Sequence, residues 1–347
     1  MKKYLYSTFI ILSIFSFSGC SLAPEPKVGV SGGATSSIMK TIDGGVSWEA
    51  KGKTAGKVSL NSVDVLSLAI NPYDGKNVFV GTLRNGILKT DNGGEDWSLL
   101  NFPAAKVYGL LIDNMQSHIM YATGVWQGYG KIFKSVDSGN EWNEIYTSPS
   151  NGPIVVSLTM DKFNSNTIYA TISDRQIIKS VDGGSSWQNI FAAPGPVTKL
   201  SIDSTNPNLI YILMVGGTVM RSMDGGRTFD PITNNIGSGS ETIETDPINS
   251  NTVYTGGRNG LYRSKDAGNN WEEIRVLNDP KIFPIKAIAV NPSNSGEILY
   301  GANQAVYKSI DGGQSWSSFQ LETKKIIDII RYDVNASNTA YIGLRTK

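Results

Sequence analysis

The sequence predicts an all-β fold, a seven-bladed β-propeller of four-stranded antiparallel blades. Three observations predict it. An eight-residue turn motif occurs seven times, its copies are evenly spaced, and the two ends of the chain hold complementary halves of one repeat.

The motif is Ser/Thr-x-Asp-x-Gly-x-x-Trp, seen in Ser180, Asp182, Gly184 and Trp187. Its acidic position is filled by Asp43, Asn92, Asp137, Asp182, Asp224, Asp266 and Asp311. Its aromatic position is filled by Trp48, Trp97, Trp142, Trp187, Phe229, Trp271 and Trp316. Asn92 and Phe229 are the two departures. An Asp or Asn side chain accepts hydrogen bonds from backbone N–H groups two residues on, and glycine supplies the positive φ of a tight reversal. The aromatic residue then opens the next strand and packs back across the hairpin. Each copy follows an apolar run ending in Lys or Arg, as in residues 177–179 and 261–263, so the unit reads strand, turn, strand. Successive aromatic positions lie 42 to 49 residues apart, the length of one four-stranded blade.

Taken in order, residues 1–19 form a targeting segment. Lys2 and Lys3 precede an apolar run at 4–17 that is too short to span a bilayer. The run ends in Phe17-Ser18-Gly19-Cys20, which is similar to a bacterial lipobox with Phe17 where Leu is usual. Cys20 is the only cysteine and is the candidate lipidation site; the competing reading is an ordinary secretory signal with an incidental Cys. Residues 20–37, rich in Pro, Gly and Ser, read as a flexible tether, and 38–347 as the propeller. With 31 basic and 30 acidic residues, the chain has no net field that points to nucleic acid.

Within the first full repeat, residues 65–70 predict strand a, 77–82 strand b, 86–90 strand c and 97–100 strand d. The N-terminal repeat, beginning at Ile38, has only c and d. The C-terminal stretch 326–344 has only a and b. The two halves are expected to pair, residues 339–343 against 38–41, and so close the ring and remove exposed strand edges.

The turn motif resembles the Asp box of bacterial sialidases. The whole repeat is similar to sortilin-type and photosystem II assembly-factor propellers and to the repeats of xyloglucan-degrading endoglucanases. The resemblance covers residues 38–347 and implies the fold, with the Asp box as a structural turn away from the active face. It says little of function.

A sialidase-like site needs an arginine cluster, a Tyr–Glu pair and an acid, and other glycosidases need two placed carboxylates. Most Asp residues here sit in repeated turns: Asp161, Asp203 and Asp246 between a and b, the Asp-box set between c and d. His118, the only histidine, lies in an a–b loop, so no multi-histidine metal site exists. No cofactor or metal is expected.

The repeats disagree at their b–c loops, which with the d–a loops form one face. There the sequence carries Arg84 and Asn85, Trp126, Gln127 and Tyr129, Asp174 and Arg175, Arg258 and Asn259, Gln304, and Arg345. Arginine appears in four of the seven blades, and Arg and Trp are enriched in binding hot spots. Arg84 and Arg345 are expected on adjacent blades, with Arg175 and Arg258 two blades further on either way, forming an electropositive rim. The alternative is that these are solvated turn residues. The resemblance to photosystem assembly factors implies an arginine patch that holds a client protein. The basic residue before each motif copy, from Lys40 to Lys308, is too periodic for a site and reads as structural, its stem along the neighbouring hairpin aromatic. The long d–a insertions at 51–62 and 231–240 read as mobile lips of the face.

The expected protein is a lipid-anchored, extracytoplasmic scaffold of the bacterial envelope. It binds a protein or peptide client without catalysis and meets the membrane only through its anchor. The alternative is a glycan-binding or glycan-cleaving surface protein, with Trp126 and Tyr129 as a sugar-stacking platform.

Overall fold

The computed structural model describes residues 36–347. Seven four-stranded antiparallel sheets surround a central channel, strand a innermost and strand d outermost. Blade 1 runs a Val65–Asn71, b Asp74–Thr82, c Ile87–Thr90 and d Ser98–Leu99. Strands a and b exceed the expected bounds because Asn71 pairs with Asp74 across a two-residue turn, and strand d is correspondingly short. Strands a of blades 2 to 7 are Val107–Ile112, Val155–Met160, Val197–Ile202, Ser240–Thr245, Ile285–Asn291 and Ile326–Tyr332.

Blade 7 closes the ring from both ends of the described chain. Ala340–Arg345 (b) pairs with Ile38–Thr41 (c), in the register Ile38 to Gly343 and Thr41 to Ala340. Propeller packing begins before Ile38: Ser36 and Ser37 are buried, and the Ser37 N–H donates to the Leu60 carbonyl. The last two residues assigned to the tether therefore belong to the fold. At the seam with blade 1, Asp64 receives the Thr346 N–H at 2.8 Å and pairs with Lys325 at 3.3 Å.

The turn chemistry differs in one respect from the sequence expectation. The Asp carboxylate accepts from N–H groups three and four residues on, not two: Asp43 takes those of Val46 and Ser47 at 3.0 and 2.9 Å. The buried Ser/Thr is the hinge. Ser180 Oγ donates to Asp182 and accepts the Gly184 N–H, both at 2.8 Å. Gly183 and Gly184 hold φ of 66° and 91°, which a Cβ would resist.

The aromatic residue packs onto the preceding blade. Trp48 shares a core with Leu299 and Phe319 of blade 6, and Phe229 lies 4.8 Å from Phe191 of blade 3. Trp271 and Trp316 donate their indole N–H to carbonyls of the blade before, at Ile232 and Arg275. Each large apolar side chain so removed from water contributes roughly 1.5–3 kcal/mol over exposure.

The periodic basic residue is structural, and its partners are now defined. Lys134 and Lys179 sit opposite Tyr121 and Tyr169 of their own strand b, with the ammonium 5.4 and 4.9 Å from the ring. The ammonium then reaches the next blade's turn, where Lys134 Nζ donates to the Gly183 carbonyl at 2.9 Å. The Tyr121 hydroxyl donates to the same oxygen at 3.1 Å. Burial pushes the Tyr121 and Tyr169 phenols up to about 12, so both remain donors. Lys40, Arg221 and Arg263 make the equivalent reach to Gly93, Ala267 and Gly312.

The expected lips are packed. Thr54–Ala55 and Val58–Ser59 form a hairpin, and buried Leu60 fixes it in the core shared by blades 7 and 1. In the second insertion, Ile232 and Ile236 are buried. Apolar residues within these polar stretches anchor them.

Candidate functional site

Alternating strand direction places the d–a and b–c loops at one end of the ring, here the upper end, and the a–b and c–d turns at the other. The channel between them has a volume of about 610 Å³.

Its upper mouth is built by a defect that repeats in every blade. Each innermost pairing slips by one residue near the start of strand a, between Val65 and Ser67, Val107 and Gly109, or Ser240 and Thr242. The unpaired residue of each bulge turns into the channel. The resulting ring is Leu66, Tyr108, Val156, Thr198, Glu241, Lys286 and Asp328. Blades 1 to 4 supply an uncharged arc and blades 5 to 7 a charged one. None of these seven was singled out from the sequence.

The charged arc is paired. Glu241 bridges Lys286 and Arg258, the latter at 3.4 Å, and Asp328 pairs with Arg345 at 3.0 Å. At the lower half, Arg331 of blade 7 crosses to Glu244 of blade 5 at 3.4 Å, and blade 6 holds Ala289 at the matching register. Lys199, half-buried, donates to Thr242 Oγ1 at 2.8 Å. Among the described residues it has no carboxylate at ion-pair distance. Burial is the main cause that pulls its pKa down to about 8; Arg331 and Lys286 push the same way, and Asp328 and Glu244 oppose them.

Of the residues picked from the sequence, the structure brings Arg258 and Arg345 to the channel mouth, each tied to a carboxylate. They do not act as free charges of a rim. Arg345 also keeps a buried Nε with no acceptor among the described residues. Arg84 and Arg175 are exposed on blades 1 and 3 and form no ion pair among the described residues; Arg175 holds a positive φ of 83°. Trp126 and Tyr129 face each other at the tip of the blade 2 b–c hairpin, 41% and 36% exposed, with Gln127 in the turn at φ 53°.

The others hold turns. The Asn85 N–H donates to Thr82 Oγ1 at 2.8 Å, and Asp174 accepts the Gln176 side-chain amide at 3.0 Å. Asn259 donates to the Ile236 carbonyl at 2.8 Å, and the Gln304 carbonyl accepts the Leu321 N–H at 2.9 Å. Asp64 serves the ring seam. His118 is exposed in an a–b turn. Among the described residues no cluster of His, Cys, Asp or Glu could hold a metal, and no helix is long and apolar enough to cross a membrane. Cys20 and the targeting segment lie outside the described residues.

The lower end carries a feature the sequence reading passed over. The second residue of the turn motif is apolar and exposed at Ile42, Val136, Val181, Met223 and Ile310, as are Tyr73, Met115 and Phe163 of the a–b turns.

Fold and site together define the class, a seven-bladed Asp-box β-propeller. Residues 217–327 match the family model described as Sortilin, neurotensin receptor 3. The chain is similar to the GH74 xyloglucanase of Xanthomonas campestris, with TM-score 0.69 and 15% identity over 82% of this chain and 51% of that one. It is similar to YCF48 bound to D1 peptide, with TM-score 0.63 and 16% identity over 82% and 94%. The WD40 propeller domain of Doa1 gives TM-score 0.62 and 12% identity over 87% and 96%. The chain thus spans about half the length of the xyloglucanase. A search of curated protein sequences found no match.

Proposed function

We propose that this propeller is a binding scaffold that holds a protein or peptide client at its upper end and performs no chemistry. It is anchored through Cys20 on the extracytoplasmic side of a bacterial envelope. The observation that carries the reading is the distribution of charge. The carboxylates facing the channel are each bound to a cation, while Arg84 and Arg175 stand exposed and unpaired among the described residues. An acid or base poised for hydrolysis needs a carboxylate left for the substrate. Guanidinium groups left for solvent instead suit carboxylates and backbone carbonyls of a partner. The likeness to YCF48, solved with a peptide, supports this reading.

The test is capture of clients from the organism's own membranes with purified protein. Arg84→Ala with Arg175→Ala should weaken capture at least tenfold and leave thermal stability unchanged, because neither side chain packs on the core. Lys89→Ala with Lys308→Ala, in strands c, should leave capture intact. Equal effects of the two pairs would place the partner elsewhere.

A second reading rests on Trp126 and Tyr129, two aromatic faces exposed side by side, together with the likeness to xyloglucanases. It makes the upper end a glycan surface. Affinity electrophoresis on glycan-loaded gels distinguishes the two.

A further inference from the structure

We propose that the channel is a carboxylate site: a peptide partner inserts an acidic side chain or its C-terminal carboxylate past the bulged ring to Lys199. The inference rests on the upper end being the client face, and names the chemistry recognised there.

Three independent observations carry it. The first is the charge count of the lining. Lys162, Lys199, Lys286, Arg331 and Arg345 face Glu241, Glu244 and Asp328, an excess of two cations inside a chain whose formal net charge is only +1. The second is the pairing. Each carboxylate already has a cation, whereas Lys199 Nζ has only a hydroxyl, and Arg345 Nε is buried with no acceptor among the described residues. A half-buried ammonium satisfied by one neutral acceptor gains a charge-assisted bond when an anion arrives.

The third is the position of Lys199 within the repeat. The residue just after the bulge is Ser67, Gly109, Ser157, Thr242, Ala287 and Ile329 in the other blades. These are small or apolar residues that need no partner in the channel. Blade 4 alone places a cation there, lining the channel with its ammonium against Thr242 of blade 5.

The mouth sets what accompanies the acid. Leu66, Tyr108 and Val156 offer an apolar arc on one side, and the Glu241–Lys286 and Asp328–Arg345 pairs a polar one on the other. The fitting ligand is an extended peptide with an apolar residue beside its acidic group.

The experiment uses fluorescence anisotropy with two labelled hexapeptides. One ends in Leu-Glu with a free carboxylate; its twin ends in Leu-Gln with an amidated terminus. Wild-type protein should prefer the acidic peptide at least tenfold. Lys199→Met should abolish that preference, and Lys199→Arg should keep it. Lys199 is bonded to Thr242 of blade 5, and the charged groups that share its channel are Lys162 from blade 3, Glu241 and Glu244 from blade 5, Lys286 from blade 6, and Asp328, Arg331 and Arg345 from blade 7. Arginines stay charged, so from pH 7 to pH 9 wild type should lose its preference while Lys199→Arg retains it. No preference by wild type, or an equal preference in Lys199→Met, overturns the proposal. Loss of the preference with client capture through Arg84 and Arg175 intact would overturn the carboxylate site and leave the client face standing. Should Lys199→Met fail to fold, the pH comparison of wild type with Lys199→Arg decides alone.

Discussion

Gly343→Ala tests how the ring is sealed. Gly343 lies in strand b of blade 7, opposite Ile38, where the first and last parts of the propeller meet. A Cβ there would lie 2.4 Å from Val65 Cγ1 and 2.9 Å from Val65 Cβ, on the next blade. Carbon atoms rest about 3.5–4.0 Å apart, so the two blades must separate by roughly an ångström or Val65 must leave its rotamer. Val65 is fully buried and stiff at χ1, so neither is easy. Overpacking of this kind costs about 1–3 kcal/mol, and Gly→Ala returns about 0.4–1 kcal/mol through the unfolded chain. The expected net loss is roughly 1–2 kcal/mol, read from urea denaturation followed by tryptophan fluorescence. Gly195→Ala is the control, because its new Cβ would meet only Met214 Sδ at 3.8 Å. Adding Val65→Ala to Gly343→Ala removes the Cγ1 contact and leaves only that with Cβ, so it should relieve most of the clash, giving a coupling of about 1 kcal/mol in the double-mutant cycle. If Gly343→Ala matches Gly195→Ala, or if the cycle is additive, the nesting of blade 1 on that glycine is not what seals the ring.

Acid should loosen the c–d turns. The hydroxyl and N–H of Ser186 hold Asp182 down at about 2, those of Ser315 do the same for Asp311, and Asp224 is held still lower by Thr228. A carboxylate whose folded pKa is depressed stabilises above the unfolded value near 3.8 and loses that contribution as pH falls through the folded one. The urea midpoint should therefore drop between pH 4 and pH 2. Asp→Asn at 182, 224 and 311 should flatten the drop while lowering the midpoint at neutral pH; an unchanged slope would refute the assignment. For the anchor, Cys20→Ser should move the protein from the detergent phase to the aqueous phase in Triton X-114 partitioning, and equal partitioning of mutant and wild type would remove the lipid from the account.

The architecture was legible because every blade repeats its own turn chemistry, so period and blade closure follow from Asp43 to Trp316 without any knowledge of packing. The strand-c cations were legible as structural from their period alone. Their target was not, because the carbonyl that Lys134 grips lies in the next repeat, at Gly183. The candidate site was less legible for a sharper reason. A strand read as an apolar run hides a one-residue slip, and the slip decides which residue meets the channel. Glu241 and Lys286 stood just before the apolar runs read as inner strands, and Asp328 inside the last of them. A charge beside or within such a run was the available signal. The same slip carries Asp328 to Arg345, turning a loop arginine expected to be free into half of an ion pair.

The bulges have one more consequence. A residue left out of the hydrogen-bond ladder and turned toward the channel meets other channel residues more than the blade core, so its identity weighs little on how the blade packs. Each blade thus contributes one position that can be rewritten at little structural cost, and the ring arranges seven of them around a single opening. Leu66, Tyr108, Val156, Thr198, Glu241, Lys286 and Asp328 spell one such combination. A propeller with the same turns and the same seam could spell another and accept a different guest, its scaffold untouched.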